Sequence, residues 1–172
     1  MRLTVERGFD QVTVEAIAEA ANISRRTFSN YFACKEEALL HGERLYIDAF
    51  VRHLRERPQE EAAWPALRAA VRALYLSWGK PMDREWAART RLARDHPSLL
   101  ARQLANQARL AQDLEAALDG RAGPPGVRHG VLVAVFLAGL RTAVVTWSEE
   151  GERALLAVVD EVLDEVEAPF GG

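Results

Sequence analysis

The sequence predicts an all-α protein: apolar residues recur at helical spacing along most of it, no segment alternates with period two, and the breaks fall at proline or glycine. A chain of 172 residues with 49% hydrophobic composition can enclose a core as one domain or two small ones. The expected organisation is an N-terminal helix-turn-helix domain over residues 1–42, followed by a helical bundle over 43–172.

The first readable element is a helix opened by Thr13, whose hydroxyl suits an N-cap, with Val14, Ile17, Ala18 and Ala21 along its inner face. Asn22 tolerates the left-handed backbone of a sharp turn, Ile23 supplies an apolar plug, and Ser24 caps the next helix. There Phe28 and Phe32 share the inward face, whereas Arg25 with Ser29 and Arg26 with Asn30 form outward rows. Arginine, serine and asparagine hydrogen-bond base edges and phosphates, so an exposed helix carrying them fits a DNA major groove. Each of these residues alone would equally suit a solvated helix; their joint order carries the DNA reading. A net charge of -3 argues against holding nucleic acid by bulk attraction. Residues 22–35 nevertheless contain no acid, so Arg25, Arg26 and Lys35 make a local positive patch.

The pattern G-F-x-x-V-T-V-x-x-I-A-x-x-A at 8–21, followed by S-x-x-T-F-x-x-Y-F-x-x-K-E at 24–36, resembles the TetR family of transcriptional regulators. The resemblance implies a recognition helix presenting Ser24, Arg25, Arg26, Thr27, Ser29 and Asn30 to the groove. It implies phosphate contacts by Tyr31 and Lys35 and a backbone clamp at Thr13. Ser29 stands where many members carry an aromatic ring, and MRLTVERGF supplies only the end of what is normally a longer first helix.

After Lys35 a long helix begins with Glu36 and Glu37 at its positive end and carries Leu39, Tyr46, Phe50 and Leu54 to about Arg57, before Pro58. Trp64, Leu67, Val71, Leu74, Tyr75 and Trp78 make the next stripe, which ends at Gly79, Lys80 and Pro81. Trp86, Thr90 and Ala93 mark a short helix, and Leu100, Leu104, Ala111, Leu114 and Leu118 a longer one that stops at Asp119 and Gly120. GRAGPPG then reads as a linker, because it lacks the preceding strand and the lysine of a nucleotide loop. Residues 131–140 are apolar all round. The helix continues past Arg141 to Trp147, and that arginine interrupts the run too early for a membrane span.

The last stripe is Leu155, Val158, Val159, Val162 and Val166, with Asp160, Glu161, Asp164 and Glu165 turned away. Two readings stand for these last two helices: they close a monomer core, or they pack against their copies in a homodimer, with Gly139 allowing close approach. The family resemblance implies the dimer, and two recognition helices about 34 Å apart would read a palindromic operator in double-stranded DNA.

Tyr75, Trp78, Trp86 and Phe136 either line a ligand cavity or fill a core, and Arg89 and Arg141 either meet a ligand anion at its mouth or stay at the surface. R-T-R-L-A-R-D-H-P-S-L-L-A-R at 89–102 resembles the actinobacterial mycofactocin-type regulators, which implies an amphipathic effector such as a fatty acid or acyl-CoA. No cofactor is expected, since the four histidines lack metal-ligand spacing and no G-x-S-x-G turn occurs. These features read as a non-enzyme, a ligand-responsive repressor; the alternative is a helical small-molecule-binding or interaction protein without DNA binding. A single cysteine excludes an internal disulfide and suits the cytoplasm.

Overall fold

The computed structural model describes residues 3, 8–77, 92, 95–123, 127–150 and 153–167, and among these every regular element is helical. The helices are α1 (Val14–Ala20), α2 (Arg25–Tyr31), α3 (Lys35–Arg55), α4 (Ala63–Ser77), α5 (Pro97–Ala117), α6 (His129–Glu150) and α7 (Leu155–Glu167). The earliest helix and the expected short helix carrying Trp86 fall mostly or wholly outside the described residues.

The chain divides into two compact units. One combines Met1–Leu45 with Asp83–Asn106, and the other combines Tyr46–Met82 with Gln107–Gly172. The first unit thus runs to Leu45, and a segment assigned by sequence to the C-terminal bundle groups with it. Two helices, α3 and α5, contribute residues to both units.

In the first unit Gly8 adopts φ +78, a left-handed conformation that opens a turn closed by Val12 N–H on Phe9 C=O at 3.2 Å. The turn sends Phe9 inward, where it is buried with Leu40 and Leu99 and flanked by Leu39 and Leu92. The start of α5 is fastened to the same unit. The Phe9 and His96 rings lie 4.9 Å apart, Ser98 Oγ donates to Glu36 Oε1 at 3.2 Å, and Arg102 pairs with Glu37 at 3.3 Å. Leu99 makes the core contact here, whereas Leu100 and Leu104, expected on the inner stripe, are exposed. Neighbouring helical positions differ by about 100°, so the inner face passes through one of two adjacent leucines.

In the second unit α4 buries Ala63, Trp64, Ala66, Leu67, Ala70, Val71 and Leu74, a helical stripe that tolerates Pro65 because it stands in the first turn, where no intrahelical bond needs its N–H. Phe136 of α6 is fully buried, its ring 5.5 Å from Trp64 and 6.1 Å from Phe50. Leu155, Val158, Val159 and Leu163 of α7 are buried against the same core, in keeping with the predicted stripe. A methyl placed on Gly139 would meet Leu163 Cδ2 at 3.1 Å, with Val162 and Val166 next nearest. The close approach at Gly139 is therefore between α6 and α7 of one chain, a correction to its expected place between copies.

After α5 the chain turns at Gly120, φ +77, and the turn carries Arg121 into the interior. Its guanidinium donates to the carbonyls of Leu54, Arg57, Pro58 and Glu61, at the end of α3 and in the turns that follow it. On the surface Arg68 gathers Asp160, Asp164 and Glu167, so part of the acidic side of α7 is tied to α4. The helix at His129–Glu149 has the length and apolar composition of a membrane span, yet Leu132, Val133, Phe136 and Ala143 within it are packed into this core.

Candidate nucleic-acid interface

The interface is built from α1, the turn after it, and α2. Thr13 Oγ1 accepts from Ala16 N–H at 3.2 Å and caps α1. Asn22 takes φ 54 and Ile23 N–H returns to Ala18 C=O at 2.9 Å, which makes the turn tight. Ser24 Oγ accepts from Thr27 N–H at 3.0 Å and lies 2.8 Å from Thr27 Oγ1. Both hydroxyls thus shape the start of α2. Ile23 is exposed, not the buried plug its apolarity suggested, and Ala21 is exposed as well; Ala18 is the residue of α1 that is buried.

Behind α2, Phe28 is 2% exposed and its ring lies 5.3 Å from Phe32, which in turn meets the His41 ring edge-on at 5.2 Å. In front, Ser24, Arg25, Arg26, Ser29, Asn30 and Tyr31 are all exposed, Tyr31 at 75%. The apolar and polar faces of α2 are separated as the sequence predicts. Arg25 and Arg26 differ in one respect: Arg25 Nη1 lies 3.0 Å from Glu15 Oε1 on α1, while Arg26 has no ion pair among the described residues.

Lys35, expected at a phosphate, is turned onto the protein. Its ammonium donates to the carbonyls of Phe9, Val12 and Asp10 at 2.9, 3.1 and 3.4 Å, and it stands 4.3 Å from the centre of the Phe9 ring. An ammonium has three N–H donors, and this arrangement engages them all on the protein. Glu36, at the start of α3, is pushed up by burial, but hydrogen bonds from its own backbone, Cys34 and Ser98, with Lys35 nearby, outweigh this and hold its carboxyl below the ordinary value of 4.5. Glu37 reaches back to accept from Ala33 N–H at 2.8 Å, closing the joint between α2 and α3.

The bacterial regulatory protein, TetR family, model matches residues 1–41, and the MftR C-terminal domain model matches residues 61–171. The chain belongs to the TetR family. The HTH-type transcriptional regulator TcmR of Streptomyces glaucescens is 30% identical to it over 178 residues, covering 95% of this chain and 77% of that protein. This TetR-family chain is therefore a DNA-binding transcriptional regulator and not an enzyme, in a family whose members bind DNA and dimerise.

Of the residues expected to meet a ligand, Trp78, Trp86 and Arg89 lie outside the described residues. Phe136 is a core residue, enclosed by Trp64 and Phe50, which corrects its placement on a cavity wall. Arg141 is exposed on α6, and Tyr75 is half-buried against the core. Sequence reasoning missed Glu15 and Arg121. Neither stands in a periodic relation to its partners, and the charge of an arginine just after a helix-ending glycine was the available signal for Arg121.

Proposed function

We propose that the protein is a ligand-responsive repressor that works as a homodimer on a palindromic operator. The observation that supports it best is α2 itself: a short helix buried behind through Phe28 and open in front along Arg25, Arg26, Ser29 and Asn30. In this reading Arg25, Arg26, Ser29, Asn30 and Tyr31 touch the duplex, whereas Thr13, Ser24, Thr27 and Lys35 hold the helix in place. As such a regulator it would act in the cytoplasm.

The second copy would dock on α6. Val131, Ala134, Ala138, Thr142 and Val145 lie on one side of that helix and are exposed, while Leu155, Val158, Val159 and Leu163 of α7 are buried within the chain. The dimer surface would combine this face of α6 with the exposed and half-buried residues of α7, Leu156, Ala157, Val162 and Val166 among them. An amphipathic effector, of the fatty acyl or acyl-CoA class, would act on the second unit near Tyr75 and change operator affinity through the helices α3 and α5 that the two units share. Such coupling is typically about 1–3 kcal/mol and requires unequal affinity for the two states.

Selection from random DNA tests the operator. The expected product is a palindrome whose half-sites are about one helical turn, or a multiple, apart; recovery of no enriched sequence overturns the proposal. Acyl-CoAs added to the selected complex should release it and stabilise the free protein against heat. Release by none of several chain lengths rules out that effector class.

A further inference from the structure

Two adjacent arginines on α2 face solvent in different electrostatic states. Arg25 is 72% exposed in its side chain and pairs with Glu15, 57% exposed, at 3.0 Å; Arg26 is unpaired among the described residues. A guanidinium beside a carboxylate forms a nearly neutral unit. It gains little from a phosphate, because the carboxylate repels the same anion that the guanidinium attracts. The pair suits instead a surface that offers acceptors next to a donor. In the major groove a G·C pair does this, with guanine N7 and O6 as acceptors and cytosine N4 as donor. Contact with Glu15 uses Arg25 Nη1, which leaves Nε and Nη2 as a forked edge for guanine.

Resting on the operator-binding reading above, we propose that Arg25 and Glu15 act as one base-reading unit for a G·C pair in each half-site: Arg25 takes guanine, and Glu15 orients it and keeps it off the backbone. Arg26, whose charge is unshared, serves the phosphates. Glu15 is thus a specificity-determining residue on the helix that precedes the recognition helix.

The test is selection from random DNA by the wild-type chain, Arg25→Ala, Glu15→Gln and Arg26→Ala, followed by binding to the selected site and to its variants at each position. Arg25→Ala and Glu15→Gln should relax the same G·C position, each lowering its discrimination about tenfold. Glu15→Gln should also bind unrelated DNA more tightly, since it removes a negative charge. A purely structural Glu15 would instead lower affinity for all DNA along with thermal stability. If Arg25→Ala weakens every sequence alike, or Glu15→Gln leaves base preference unchanged, the pair is not a reading unit. If the wild-type chain enriches nothing, operator binding fails first, and the two failures are distinguishable.

Discussion

Lys35 and Arg26 carry the same charge at the starts of successive helices, yet their surroundings give them different work. Arg26 is exposed with no ionic partner among the described residues, so its charge is available to a phosphate. Arg26→Ala should weaken binding to all sequences alike and reduce the slope of log affinity against log salt by about one, as measured by fluorescence anisotropy across a salt series. Lys35 is folded onto the carbonyls of Phe9, Asp10 and Val12. Lys35→Met keeps much of the apolar stem but leaves those acceptors to water, and should cost about 2 kcal/mol of stability. Its DNA affinity should drop through loss of a well-placed α2, with the salt slope unchanged. A slope reduced by one with an unaltered melting temperature would return Lys35 to the phosphates. The contrast also shows why single-residue roles are hard to read from sequence: the motif puts a lysine at position 35, but only the turn opened by Gly8 brings three carbonyls to it.

Helices were legible where local chemistry decides them, and their partners were not. Thr13, Asn22 and Ser24 announced the helix-turn-helix because capping and left-handed backbone are properties of a few consecutive residues. The stripe of α7 was legible for the same reason. What α7 packs against depends on residues far away in the chain, and so Gly139 was placed between copies when it lies against Leu163. Gly139→Val should therefore force Leu163 aside and destabilise the second unit by about 1–3 kcal/mol in denaturant titration, against a helix-propensity gain that is smaller. No loss of stability would show that the α6–α7 contact has room to adjust. The joint between α2 and α3 has a pH signature. Glu36 titrates below 4.5 in the folded chain, so its contribution is fully present above that ordinary value and is lost as pH falls through the lower, folded one. Ser98→Ala, which removes one bond to Glu36, should lower the melting temperature at neutral pH, and the difference should shrink as the medium is acidified below 4.5. A difference that stays constant to lower pH would remove Glu36 from the account.

At the scale of the molecule, two units are joined by helices that belong to both, and one helix presents an uncovered apolar face. Val131 is 48% exposed and Val145 36%, with Ala134, Ala138 and Thr142 between them on the same side. Small residues let helices approach closely, so a long or charged side chain placed there would act on a partner more than on the chain's own core. Ala138 is exposed within one chain, and Ala138→Arg should fold with a melting temperature close to that of an equally dilute wild-type monomer. In sedimentation it should run at half the mass of the wild-type protein. Because one recognition helix meets half a palindrome, operator affinity should fall by about a hundredfold or more, while affinity for unrelated DNA changes far less. A dimer that survives Ala138→Arg with operator affinity intact would move the interface away from α6, and the two-fold reading of the operator would then need a different surface to support it.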